Sequence, residues 1–239
     1  MKLTMPLALA PEAVTMFQLR DRLNGGAIVP DAAITGLETA MRGAEELMQR
    51  VVVLAGTKDP AATVDGHALK VRDVAVAAAE QAARKLDAAR EAAQNEINRL
   101  QAETAAPPPP RDPHAVQLEA EIRARLASMK DKERGETIAK AIKDGDDLVV
   151  GSFLRGPAML TGVGEHEREM RRHAWRSARF PDKVDREQRL QKAIAAVDRG
   201  GRAMIAMVQE IADRPEVKLA TANKQRADAA LAALAQPQE

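Results

Sequence analysis

The chain has no cysteine and no tyrosine, and its 239 residues include only three Phe and one Trp. Without Cys there are no disulfides, no thiolate nucleophile and no thiolate ligands for zinc or an iron–sulfur cluster. About one residue in five is Ala, so much of the 45% hydrophobic content is methyl groups and a thin core is expected. An excess of one charge is also missing: 36 basic against 35 acidic side chains leave +1, which makes no whole-chain field for nucleic acid or anionic lipid. Long apolar runs are absent too. Residues 3–11 and 51–57 fall short of the roughly 20 residues needed to cross a bilayer, so no membrane span is expected. The first ten residues imitate a secretory signal, but Pro6 interrupts an apolar part that is too short.

What is present suits helices. Alanine and charged residues favour long helices that approach closely, and the expectation is an all-α fold: a long helical hairpin or rod plus a smaller helical bundle, with no substantial β-sheet. A short helix is expected from Pro11 through Val14, Phe17, Leu19 and Leu23 to a stop at Asn24-Gly25-Gly26. A second starts near Pro30 and Asp31, with Ile34, Leu37, Met41, Ala44, Met48, Val51 and Val52 on its core face, and ends at Gly56. Residues 58–66 read as a loop. Residues 68–104 contain neither Gly nor Pro and predict a rod of about 55 Å. Its seam, Ala75, Ala79, Ala82, Leu86, Ala89, Ala93 and Leu100, follows steps of four and three broken at Glu96. That seam packs either within its own subunit or as an intermolecular coiled coil.

Four consecutive prolines, Pro107 to Pro110, form a polyproline II segment and divide the chain into residues 1–104, a linker at 105–113, and residues 114–239. As a ligand for a proline-binding module the run is less apt than as a spacer. Beyond it, Ala115, Leu118, Ile122, Leu126 and Met129 predict a helix antiparallel to the rod, interrupted at Gly135 before Ile138 and Ile142. Asp146 or Asp147 caps a helix carrying Leu148, Val149, Val150, Phe153 and Leu154, ended by Gly156-Pro157. A charged helix at 165–179 holds Trp175. Pro181 or Asp182 opens another, broken at Gly200-Gly201, and Pro215 starts a last one with Val217, Ala220, Ala227, Leu231 and Leu234 on one side.

Chemistry is sparse. His166 and His173 lie two turns apart and lack the intervening His a zinc-protease helix needs, and His67 and His114 have no supporting cluster. Gly162-Val163-Gly164 opens like a dinucleotide fingerprint but puts His166 and Glu167 near the place of the third Gly. Ser128, Ser152 and Ser177 are the only serines, none in a nucleophile elbow. No catalytic residue, cofactor or metal ligand is expected. The basic candidate is the stripe Arg168, Arg172, Arg176 and Arg179, able to grip phosphates; Glu165 and Glu169 continue its line and would absorb part of it in ion pairs. The packing candidates are Leu148, Phe153, Leu154, Leu160 and Trp175 as an anchoring cluster, and Leu86, Ala89 and Ala93 on the rod.

The order Val149-Val150, Phe153-Leu154, Pro157, Leu160-Thr161-Gly162-Val163, a charged helix with Trp175, Pro181, then Arg199-Gly200-Gly201 resembles a segment of small helical proteins of tailed bacteriophages. It covers residues 146–211, roughly a quarter of the chain. The resemblance implies a non-enzymatic structural or assembly role in the head, neck or internal core of a virion assembled in bacterial cytoplasm. The partners would be further copies of the chain and other virion proteins. A transient capsid scaffold and a nucleic-acid-binding helical protein are the alternatives.

Overall fold

The structure, a computed structural model, describes residues 2–21, 26–57 and 60–234. Leu23, Asn24, Gly25, Lys58 and Asp59, to which the sequence assigns a helix end and a loop, lie outside the described residues, as does the side chain of Leu234. The fold is all-α, with one two-stranded antiparallel ribbon among the described residues. The helices are α1 Glu12–Thr15, α2 Ala32–Gly56, α3 Val64–Glu103, α4 Pro113–Ser128 and α5 Asp131–Asp144. They are followed by α6 Asp147–Arg155, α7 Ala158–Thr161, α8 Glu165–Arg179, α9 Pro181–Asp213 and α10 Pro215–Leu234. The chain divides into two compact units: Met1–Asn95 with Arg189–Glu239, and Glu96–Gln188. The boundary thus falls inside α3 and α9. The proline run lies inside the second unit, where that unit's own side chains take up its carbonyls.

In the first unit the short helix ends sooner than its apolar spacing suggests. After α1 the chain turns into β1, Leu19–Asp21, which pairs with β2, Ala27–Val29, in the register Leu19 to Val29. Gln18 fixes this corner: its carbonyl oxygen accepts from the Asp31 N–H at 2.8 Å, and its amide donates to Thr35 Oγ1 at 3.0 Å. Asp31 caps α2 through the Ala33 N–H, and Ile34, Leu37, Met41, Ala44, Met48 and Val51 are all fully buried. α3 starts earlier than the composition indicates, because Thr63 Oγ1 accepts from the Gly66 N–H and draws residues 64–67 into the helix.

The buried positions of α3 are Ala68, Val71, Ala75, Ala78, Ala82, Leu86, Ala93, Ile97 and Leu100, closed by Thr104. Their spacing averages about 3.6 residues, the period of a straight helix, where a supercoiled seam needs 3.5. Burial falls on Ala78, three residues after Ala75, where the seam expected Ala79, and on Ile97, four after Ala93, beside Glu96. α3 is covered by its own chain. In the first unit Arg90 pairs with Asp198 of α9 at 3.6 Å, while Ala68 packs with Val217 and Ala220 of α10. In the second unit Glu96 meets Arg186, Gln101 donates to Glu187 at 2.6 Å, and Glu103 meets Lys183 at 3.0 Å, an antiparallel order.

The Arg99 hydrogen bond holds the Glu96 carboxyl below the usual carboxylate range; burial opposes this and Arg186 reinforces it. A lowered folded-state value gives stability that is present above the unfolded value near 4.5 and lost as pH falls through the folded one. Glu96→Gln should therefore lower the melting temperature more at about pH 7 than at about pH 3. An equal deficit at both ends would refute the assignment.

α9 runs unbroken through Gly200-Gly201, where a break is expected from the sequence. A Cβ on Gly200 would stand 2.5 Å from Met41 Cε and 2.9 Å from the Ala8 carbonyl oxygen, so this glycine lets α2 and the N-terminal segment close on α9. That contact offsets the roughly 1 kcal/mol a helical Gly costs. Gly200→Ala should lose about 1–3 kcal/mol through overpacking. At Gly201 a Cβ meets nothing within 4 Å, and Ala there should gain about 0.5–1 kcal/mol. Urea midpoints that shift alike in the two variants would contradict this account.

In the second unit the break after α4 falls at Met129-Lys130, while Gly135 lies inside α5. Arg134 donates to the Met129 carbonyl at 3.2 Å, taking the acceptor that would have carried the helix on. α4 packs on α6 and α7. Asp146 caps α6 by accepting from the Leu148 and Val149 N–H groups.

Candidate functional site

Two arginines of α8 turn to the backbone of the second unit and a third to a side-chain hydroxyl. Helix C-termini leave carbonyls without intrahelical donors, and polyproline has no internal hydrogen bonds at all. Arg176 donates through Nε to Thr104 Oγ1 at 2.8 Å and pairs with Glu187. Arg172 donates to the Ala105 carbonyl at 3.1 Å and pairs with Glu169. Arg168 donates to the Gly156 carbonyl at 2.6 Å, with Glu165 at 3.8 Å. Arg179 is exposed. Three of the four stripe arginines therefore hold the ends of α3 and α6 and present little free charge.

Arg155 completes this clamp. One guanidinium nitrogen donates to the carbonyls of Pro107 and Pro108, and the other meets Glu119, a buried carboxylate that also faces Arg123 at 3.6 Å. Burial pulls the Arg155 guanidinium below its ordinary value. Pro107 is buried and Pro110 half-buried, while Pro108 and Pro109 face solvent. With three residues per turn, the Pro107 and Pro110 edge is the one turned inward.

Of the expected anchors, Phe153, Leu154 and Trp175 are buried together with Leu126, Ile138, Val150 and Val163. Trp175 meets Phe180 edge-on at 5.5 Å. Leu148 is half-buried. Leu160 lies outside this core: it is 52% exposed, beside Met159 at 86%. Both belong to α7, a single turn bracketed by Gly156-Pro157 and by Gly162, whose φ of +67° lets the chain reverse. The turn is braced from beneath. Thr161 is buried and donates to the Ala158 carbonyl at 3.0 Å, the Arg134 guanidinium lies against Gly162, and Arg168 holds Gly156. The result is a projection carrying two apolar side chains into water. By hydrophobicity Leu160 groups with the core; the Gly-Pro and Gly-x-Gly brackets are the available signal for a protruding turn.

On the rod, Leu86 and Ala93 are buried and Ala89 is half-buried. Leu86 floors a groove of about 320 Å³ with Val197, Gly201 and Met204, rimmed by Asp87, Arg90, Asp198 and Arg202. His166 and His173 are exposed, and among the described residues no group of three or more His, Asp or Glu side chains is placed to hold a metal ion. Ser152 is buried and donates to the Val149 carbonyl at 2.7 Å. Among the described residues no helix is long and apolar enough to cross a membrane.

No protein-family model, no curated protein and no solved structure matches the chain.

Proposed function

We propose that the chain is a non-enzymatic helical assembly protein that works by packing against other proteins, as a component of a tailed-phage particle. The observation that supports packing is the braced α7 turn. Exposed Leu and Met are ordinary when scattered, but two neighbours held outward on a turn tied down by Thr161 and Arg168 suit insertion into a partner's apolar recess. The particle rests on the resemblance of residues 146–211, and so does the choice of head, neck or internal core. A nucleic-acid role is less well supported, because Arg168, Arg172 and Arg176 are engaged with two backbone carbonyls, the Thr104 hydroxyl and carboxylates.

Sedimentation of the purified chain at low salt, with and without duplex DNA, tests the reading. Sedimentation indifferent to DNA is expected. A DNA-bound species lost in Arg172→Ala with Arg176→Ala would replace it with the nucleic-acid function. Presence of the chain in purified mature particles supports a virion component; presence only in immature ones identifies a transient scaffold.

A further inference from the structure

The solvent side of α8 carries a set of donor atoms that the packing of the second unit does not use. His166, Met170 and His173 stand four and then three residues apart, so they share one narrow stripe of the helix, opposite the buried Trp175. All three are exposed, Met170 at 54%. Single exposed methionines are ordinary; this one has an imidazole one turn away on either side. The carboxylates of the same helix are already engaged, since Glu165, Glu167 and Glu169 each meet an arginine: Arg168, Arg171 and Arg172. The imidazoles are about 10 Å apart along the axis, too far to share one ion unless a donor lies between them. The Met170 thioether lies between them, about 6 Å of helical rise beyond His166 and about 4.5 Å before His173. Helical side chains lean toward the N-terminus, which directs the sulfur toward His166 and the His173 ring toward the sulfur, and three rotatable bonds let the methionine close the remaining gap.

We propose that His166, Met170 and His173 bind a soft monovalent metal ion, copper(I), through two imidazole nitrogens and one thioether sulfur. A thioether selects copper(I) over harder ions, and imidazole accepts it too. Zinc is served less well. Its sites take three or four imidazole, carboxylate or thiolate donors, and among the described residues no group of three or more His, Asp or Glu side chains is placed to supply them. The chain has no cysteine, so no thiolate of its own competes for the ion. Binding changes no oxidation state and forms no covalent bond within the chain. Donors on an exposed face leave the outer side of the ion open to a further ligand, so the site takes up the ion and releases it without disturbing the core around Trp175. The inference goes beyond the assembly reading and does not rest on it.

The test is an anaerobic titration of the full chain with copper(I) held by ferrozine, with a reductant present. A single equivalent should pass to the chain. Met170→Leu keeps the size of the side chain and removes the sulfur, and His173→Gln removes an imidazole. Each should weaken uptake by more than the roughly tenfold that loss of an outer-shell partner costs a metal site, with helical content unchanged. Met16→Leu, at a methionine of the first unit that is 65% exposed, should leave uptake as it is. A second readout uses methyl-labelled methionine and silver(I), a redox-inert substitute: of the ten methionine methyl signals, that of Met170 should move first. No transfer from ferrozine, uptake indifferent to Met170→Leu, several methionine signals moving together, or zinc(II) held as tightly as copper(I) overturns the proposal.

Discussion

Arg155→Met should unfold at a urea concentration corresponding to a loss of about 3–5 kcal/mol, the usual result of removing one member of a buried ion pair. Two deficits combine. Among the described residues Glu119 keeps Arg123, at 3.6 Å, as a counter-charge, and the Pro107 and Pro108 carbonyls lose the Arg155 donor. The guanidinium is itself partly desolvated, so its ion pair is screened less than one at the surface. The double replacement Arg155→Met with Glu119→Met should recover much of the loss, because an apolar pair carries no unmet charge. The carbonyl deficit would remain. A double variant no better than the single would locate the stability in the proline carbonyls and not in the ion pair. A single variant within about 0.5 kcal/mol of wild type would dismiss the clamp altogether.

Leu86→Asp should be nearly as damaging, at about 4 kcal/mol, from the lost apolar volume and an uncompensated carboxylate in its place. Leu86 is buried inside its own unit, against residues of α9 that share the groove. The loss should accordingly be the same at low and high protein concentration. The substituted carboxyl titrates above its unfolded value, so the penalty is largest above about pH 4 and shrinks below it. A variant that stays as stable as wild type but no longer associates would place the seam between molecules, and the intramolecular assignment would be lost.

Much of the fold can be read from the residues, for a physical reason. Ile34 to Val51 and the α3 seam are periodic, and period is local information that burial merely selects. Asp146 and Asp31 announce helix starts by a side chain that needs only its neighbours. The failures occur where a distant group decides. Gly200-Gly201 signals a break by propensity, yet Met41 and Ala8 lie against Gly200 and keep α9 whole. Residues 17–21 have a helical apolar pattern, yet Gln18 ties the corner to Asp31 and Thr35. The candidate site is less legible still. Arg168, Arg172 and Arg176 form a stripe in sequence, but which acceptors they meet depends on where the end of α3 and the proline run arrive. Leu160 counts as core by hydrophobicity and stands in water because Gly156-Pro157 and Gly162 turn the chain outward around it.

The discontinuity of the first unit also bears on how the protein is made. The second unit is one uninterrupted stretch, and all of it has been synthesised once Gln188 is added. The first unit joins Met1–Asn95 to Arg189–Glu239, so α2 and the leading part of α3 exist for more than ninety residues of further synthesis before their covering helices emerge. Domains generally fold as units on the growing chain, and closing a long intervening segment is cheaper once that segment is compact. The later-encoded unit should therefore fold first on the ribosome, shortening the distance across which the two ends of the other must meet.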